Sequence, residues 1–190
     1  YASDLDLVFV YEAARGMTEA PSLARVWAER IVRTLSTLSR DGQLYRVDLR
    51  LRPSGGEGEL ITSLEGLRDY FRGSAEVWEM QSFLKARPVG GDRGLAVRAL
   101  EVVETQILER TAAQGHEVLR EAIDDMRRRL IREAQRDVRR SVKLGEGGLF
   151  DIHFIVEFLQ LRHGVRNPPD KDTLRLLTHL NRLGHLSDAH

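Results

Sequence analysis

Two aspartates stand two residues apart in Ser3-Asp4-Leu5-Asp6, and an apolar run of Leu7, Val8, Phe9, Val10 and Tyr11 follows at once. That run predicts a buried strand. In a strand, residues i and i+2 leave the same face about 6.6 Å apart. Asp4 and Asp6 could therefore reach one or two cations between them, whereas burying both without a cation or a donor would be costly. Two solvent-facing aspartates on an edge strand would show the same spacing. Asp48 is the third carboxylate. It lies mid-way along Tyr45 to Arg52, where Tyr45, Val47, Leu49 and Leu51 alternate with Arg46, Asp48, Arg50 and Arg52, a pattern that predicts a strand with an apolar back and a charged front. If both strands share a sheet, three carboxylates meet on one face and repel one another unless cations separate them. Such a set is what two-metal phosphoryl transfer requires, with ions about 3.5–4 Å apart clamping the attacking and leaving oxygens. Asp48 would also be placed to take a proton from the attacking group. An ion pair of Asp48 with Arg50 or Arg46 satisfies the same pattern.

Other residue types support an anionic substrate. Arg50 and Arg52 flank Asp48, and planar guanidinium groups suit phosphate oxygens; they also balance the charge of the aspartates. Lys85 and Arg87 share a face of the segment from Lys85 to Val89, read as extended, and are either triphosphate contacts or simply exposed. Lys143, Gly147 and Gly148 precede a helix that starts near Leu149, a place where backbone N–H groups attract anions. A glycine-rich connector between helices explains that stretch equally, and it is not a Walker A loop, since no Lys-Ser/Thr follows the glycines. His153 and Glu157 share a helix face at i, i+4, as a metal pair or a surface contact, whereas Asp151 and His153 do not. Trp27 and Trp78 read as core or interface aromatics.

These residues need elements to position them. After the first strand, Pro21 opens a helix whose Leu23, Val26, Trp27, Ile31, Leu35 and Leu38 form one apolar stripe, ended by Asp41-Gly42. Pro53 and Gly55-Gly56-Glu57-Gly58 stop the second strand. Thr62 and Glu65 have capping-box spacing ahead of a helix with Leu64, Leu67, Tyr70 and Phe71, and a short helix follows through Val77, Trp78 and Phe83. Beyond Asp92 helical patterns succeed one another: Leu95 to Arg110, His116 to Arg139, Leu149 to His163 and Thr173 to Leu183. The expected organisation is α+β, a mixed sheet with flanking helices over residues 1–91, followed by an all-α helical bundle over 92–190.

Composition narrows the chemistry. The chain has 190 residues, 42% hydrophobic and 31% charged, with no cysteine. Thiolate metal sites are therefore excluded, and a metal must be held by carboxylate or imidazole, which favours Mg²⁺ or Mn²⁺ over zinc. With 29 basic and 29 acidic side chains, nothing in the charge balance points to nucleic acid. No apolar run reaches membrane-spanning length and no signal peptide is recognisable, so the cytoplasm is the expected compartment. The chain opens on Tyr1 almost inside a strand, and the expectation is a fragment of a longer polypeptide that lacks the N-terminal edge of its first domain.

Together the motifs resemble one family. Ser3-Asp4-Leu5-Asp6-Leu7-Val8-Phe9 resembles the metal-binding strand of the nucleotidyltransferase superfamily that includes DNA polymerase beta. Val47-Asp48-Leu49-Arg50-Leu51-Arg52-Pro53-Ser54-Gly55 is narrower and is similar to the third-carboxylate strand of glutamine synthetase adenylyltransferases. Trp78-Glu79, Leu84-Lys85-Ala86-Arg87-Pro88-Val89, Gly91-Asp92, Lys143-Leu144-Gly145-Glu146-Gly147-Gly148, Asp151-Ile152 and Phe154-Ile155-Val156 follow in family order. The resemblance implies a polymerase beta-like core and one catalytic half of a bifunctional enzyme. One half transfers AMP from ATP to a tyrosine of glutamine synthetase, and the other removes AMP by phosphorolysis, giving ADP, under signals from the PII protein and glutamine. It implies Mg²⁺ ions on Asp4, Asp6 and Asp48, with Arg50 and Arg52 near the phosphates or supporting the carboxylates; Ser3, Lys85 and Arg87 are the further nucleotide candidates. Pro53-Ser54-Gly55 and the non-arginine residue before Asp151 favour the adenylylating half. Phe150 and His153 stand where the family carries Arg and Glu. The competing readings are the deadenylylating half and a regulatory module without activity; the Arg-Leu-Arg-Pro and Lys-Ala-Arg-Pro segments argue against a uridylyltransferase of the PII protein.

Overall fold

The computed structural model describes residues 4–39, 42–43, 45–134, 141–166 and 172–186. The architecture is α+β and mostly helical, with six short strands and seven α-helices among the described residues. Two compact units share the chain: Tyr1–Ala75 with Arg87–Val103, and Glu76–Ala86 with Glu104–His190. The sequence placed one division near Gly91; the contacts divide the chain at three points, because the short helix carrying Met80, Phe83 and Leu84 packs with the later helices.

In the first unit, the expected opening strand is two pieces, β1 (Leu5–Asp6) and β2 (Phe9–Tyr11). β1 pairs in parallel with β5 (Val47–Asp48), and β2 pairs in parallel with β6 (Ile61–Ser63). β3 (Leu38–Ser39) and β4 (Gly42–Gln43) form an antiparallel pair. Helix α1 (Ala20–Ser36), with Pro21 in its first turn, packs on β2, β5 and β6, while α2 (Leu64–Gly73) packs on β2 and β6. The apolar stripe of α1 is not the buried face. Ala20 and Ala28 are buried, whereas Leu23, Val26, Trp27 and Ile31 are exposed, Trp27 at 61%. Small alanines let the helix backbone approach the strands closely, which turns the bulky residues outward. The cap of α2 also falls one residue later than Thr62 predicts: Ser63 Oγ accepts from the Gly66 N–H at 2.9 Å, the usual N-cap service to an orphan helix donor. Phe71 and Leu67 anchor this unit's core.

The second unit is a helical bundle of α3 (Val77–Leu84), the later part of α4 (Arg93–Gln114), α5 (His116–Glu133), α6 (Leu149–His163) and α7 (Thr173–Arg182). α5 and α6 pack on each other and on α3, and α7 packs on α6. Val156, Val165, Leu176 and Leu180 make a core to which Leu159, Leu177 and Leu186 add. α6 has the bounds its pattern predicts, because Gly148 precedes it and Gly164, at φ +63°, ends it in the left-handed conformation that glycine adopts without penalty. The region between α5 and Ser141, into which the sequence extends α5, lies outside the described residues. Among the described residues, no helix is long and apolar enough to cross a membrane.

Candidate active site

The β1–β5 ladder brings Asp6 and Asp48 together. The pairing sets Leu5 against Val47 and Asp6 against Asp48, and the Leu5 N–H donates to the Arg46 carbonyl at 2.7 Å and the Leu7 N–H to the Asp48 carbonyl at 3.0 Å. Register partners on neighbouring strands leave the same face, with strands about 4.8 Å apart. The two carboxylates are therefore direct neighbours. Asp4, just before β1, is ion-paired with Arg46 at 3.5 Å. Ser3 lies outside the described residues.

The electrostatics follow from this placement. Asp6 keeps a solvent-facing part, yet the protein packed around its carboxyl, with Asp48 next and Asp4 after it, raises its carboxyl above the ordinary value, against the pull of Arg50. Asp48 behaves oppositely. Arg50 Nε donates to its Oδ2 at 2.8 Å and to its Oδ1 at 3.1 Å, and the Arg50 N–H reaches Oδ1 at 2.9 Å; that hydrogen bonding holds its carboxyl below the ordinary range. Asp48's side chain is only 12% exposed, while Arg50's is 81% exposed. The Arg50 guanidinium in turn feels Asp48, Asp6 and Asp4. Two solvent-facing arginines thus compensate the three carboxylates, Arg50 chiefly at Asp48 and Arg46 at Asp4.

Arg52 does something else. The expected strand ends at Asp48, and the chain turns at Arg50 and Leu51. Arg52 donates to the carbonyls of Leu49 at 2.8 Å, Gly56 at 2.9 Å and Gly58 at 3.1 Å, so its guanidinium ties down the loop rather than sharing a front face with Asp48. The loop is tight: Ser54 sits at φ +63°, and a Cβ on Gly58 would stand 1.9 Å from the Pro53 carbonyl oxygen. Arg52 therefore shapes the segment that presents Asp48 and Arg50.

The remaining candidates lie elsewhere. Lys85 and Arg87 do not share a strand: Lys85 ends α3 in helical geometry, and the residues after it form no strand. Lys85 Nζ is 2.6 Å from Glu157, which is 8% exposed and also accepts from Gln81 Nε2 at 3.0 Å. Glu157 is thus a buried partner of α3, not half of a surface His/Glu pair. The glycine turn uses its donors internally. The Gly147 N–H donates to Asp151 Oδ2 at 2.8 Å, Gly148 to the Gly145 carbonyl at 2.9 Å, Leu149 to Val142 at 3.0 Å and Phe150 to Lys143 at 3.0 Å. A Cβ on Gly148 would meet the carbonyl oxygens of Val142 at 2.7 Å and Gly145 at 2.8 Å, so the closeness of this turn requires glycine. These geometric demands account for the glycines as a connector, with their N–H groups engaged by the turn itself. Asp151 completes the arrangement by pairing with Arg127 of α5, whose Nη2 donates to the Leu144 carbonyl at 2.9 Å. The sequence reading missed Arg127: it lies on another helix, 24 residues from Asp151, where no periodicity links the two.

A hard divalent cation suits the donors at β1 and β5, which are carboxylate oxygens only. Burial first, and then the charge of Asp48, raise the Asp6 carboxyl against the pull of Arg50; a cation at that spot would oppose both effects, and Arg50 already supplies positive charge there. With Arg50 across Asp48, the side chains do not form a closed cage: among the described residues, no group of three or more His, Asp or Glu converges for a metal ion.

Fold and site together define an α+β protein with a carboxylate pair on a parallel ladder, partnered by an exposed arginine. The profile of the Glutamate-ammonia ligase adenylyltransferase family matches residues 1–102, and the chain belongs to that family. Residues 117–190 also match a profile described as GlnD PII-uridylyltransferase. Among curated relatives, the Bifunctional glutamine synthetase adenylyltransferase/adenylyl-removing enzyme of Streptomyces avermitilis is 36% identical over 93% of this chain and 18% of its own length. Its namesake in Idiomarina loihiensis is 35% identical over 100% of this chain and 21% of its length, and that of Corynebacterium glutamicum is 36% identical over 99% and 16%. The chain thus spans about a fifth of the length of the curated relatives it matches.

Proposed function

We propose that this chain carries a polymerase beta-like nucleotidyltransferase centre that moves AMP from ATP to a tyrosine hydroxyl of glutamine synthetase. The observation that carries the proposal is the in-register pairing of Asp6 with Asp48 on β1 and β5. Family membership and the printed names of the relatives supply the substrate class. In the reaction the tyrosine oxygen attacks the α-phosphorus of ATP, the α–β bridging P–O bond breaks, pyrophosphate leaves, and the hydroxyl proton passes to a base. Asp48 is that base or the group that orients the hydroxyl; its low proton affinity, set by Arg50, favours the orienting role until Arg50 moves away.

Asp6 and Asp48, with Asp4, are the residues that would hold Mg²⁺ or Mn²⁺. When bound, such an ion stabilises charge on the phosphate oxygens. Arg50 then has a second partner available. Freed from Asp48, its exposed guanidinium can turn to a phosphate oxygen, which it binds bidentately. Arg52 serves by fixing the Leu49–Gly58 loop. Arg87 is exposed and free to meet the nucleotide. The working compartment in this reading is the cytoplasm, and the PII protein is the source of regulatory input.

The relatives' names join two activities, and the same carboxylates serve a second reading: a phosphate oxygen attacks the adenylyl-tyrosine phosphorus, the P–O bond to tyrosine breaks, the tyrosine oxygen leaves and takes up a proton, and ADP is the product. The two are separated by incubating the protein with Mg²⁺ and either unmodified glutamine synthetase plus labelled ATP or adenylylated glutamine synthetase plus phosphate. Label transfer is the expected result. ADP release instead would establish the removing reaction, and activity in neither reaction would overturn the catalytic reading in favour of a regulatory module.

A further inference from the structure

The first two turns of α6 present Phe150, His153 and Glu157 at i, i+3 and i+7, which places them along one helix face. Two lysines from other segments reach the same face. Lys143 holds its Nζ 4.8 Å from the centre of the Phe150 ring, and Lys85, from the end of α3, holds its Nζ 2.6 Å from Glu157. His153 stands between them, one turn from each of the two residues they touch. Glu157 is the acid on this face and is committed: it is 8% exposed and shared between Lys85 and Gln81. The next acid along the helix, Asp151, points to Arg127 and the Gly147 N–H. Among the described residues, Lys143 forms no ion pair and His153 has no hydrogen-bonded carboxylate. The patch is reachable, since Lys143 is exposed, Lys85's side chain is 41% exposed, and His153 is half-buried.

We infer that Lys85, Lys143 and His153 form a binding site for a phosphate-type oxyanion, with Phe150 as its apolar floor. Three nitrogen-bearing side chains from separate segments line this face of α6; its one carboxylate, Glu157, is taken up by Lys85 and Gln81, so the charge of Lys143 is uncompensated among the described residues. A phosphate or pyrophosphate would accept from all three, and such charge-assisted bonds are the strong ones. Burial, and after it the charges of Lys85 and Lys143, hold the imidazole of His153 below its ordinary value; an anion between them would offset the part due to the lysines. The site uses neither Asp6 nor Asp48 and does not depend on the catalytic proposal. It also differs from an anion site on the glycine turn, whose N–H groups are engaged.

The test is amide-shift NMR on the protein without divalent cations, titrated separately with phosphate, pyrophosphate and ATP, with Lys143→Glu and His153→Glu as variants. Lys85 is left alone because its loss would strand Glu157. Saturable shifts at residues 143–157 at millimolar ligand, weakened about tenfold or more by each variant, are expected. Pyrophosphate binding as tightly as ATP would identify free phosphates as the occupant. Tighter ATP binding would identify a nucleotide whose base reaches Phe150. Shifts that do not saturate, or that persist in both correctly folded variants, would overturn the site.

Discussion

Replacing Asp48 by asparagine is expected to reduce AMP transfer by about a thousandfold or more, with the fold unchanged. The size follows from what the carboxylate does. Asp48 faces Asp6 in register, is 12% exposed, and accepts from Arg50. Asparagine keeps the shape but removes the charge that the proposed cation would bind and the carboxylate that would orient or deprotonate the hydroxyl, and each 1.36 kcal/mol lost at the transition state is about tenfold in rate. The stability change should stay within about 1 kcal/mol, because the Asp48–Arg50 pair is solvent-facing on the arginine side, and because losing it also relieves the repulsion on Asp6. Initial rates with labelled ATP together with urea midpoints check both halves. A variant with near-normal rates would remove Asp48 from the site, and one that fails to fold would make it a structural residue.

The second large effect is on stability. Asp151→Ala should cost about 2–4 kcal/mol. Asp151 and Arg127 are 25% and 15% exposed, so the alanine variant leaves a mostly buried guanidinium without its counter-charge. One of its nitrogens, Nη1, is already buried without a partner. The same carboxylate accepts from the Gly147 N–H, so the glycine turn loses an anchor as well. The pH dependence has a definite sign. Arg127, followed by the Gly147 N–H, holds the Asp151 carboxyl below its ordinary 3.8 against the opposing effect of burial. Its contribution is therefore present above pH 3.8 and is lost as pH falls through the folded-state value. Asp151→Asn, which keeps an oxygen for Gly147, should lie between wild type and alanine and lose that acid-dependent part. Urea denaturation at neutral and acid pH measures this, and a loss below about 0.5 kcal/mol for alanine would show that the pair is replaceable.

These two sites were legible in the sequence to different depths. Asp6 and Asp48 could be read as members of strands because one follows into an apolar run and the other sits in strict alternation. What the alternation could not reveal is where the strand stops. Leu49, Arg50, Leu51 and Arg52 continue the pattern, but the tight loop through Ser54 and Gly58 bends the chain earlier, and Arg52 spends its donors on three carbonyls of that loop. Lys85 misleads for a similar reason: helix α3 runs to Leu84, and Lys85 caps it against Glu157 rather than beginning a strand. The apolar stripe of α1 was legible as a stripe, but not as the exposed side, because the burial of Ala20 and Ala28 depends on how closely the helix meets the strands. α6 was readable to the residue, since Gly148 and Gly164 mark both ends. Arg127 and Asp151 meet only through the packing of α5 on α6, which no local pattern encodes.

The arginine on Asp48 also explains how three carboxylates coexist before any cation arrives. Arg50 spreads its charge over Asp48, Asp6 and Asp4, while Arg46 takes part of Asp4. Under the proposed cation site, Asp48 would have to exchange its Arg50 hydrogen bonds for the ion. The most direct test of the central claim is therefore Mn²⁺ binding followed by electron paramagnetic resonance, in wild-type protein and in Asp48→Asn. Saturable binding is expected in the wild type and its loss in the variant. Equal binding by both proteins would contradict the assignment of Asp6 and Asp48 as the cation site.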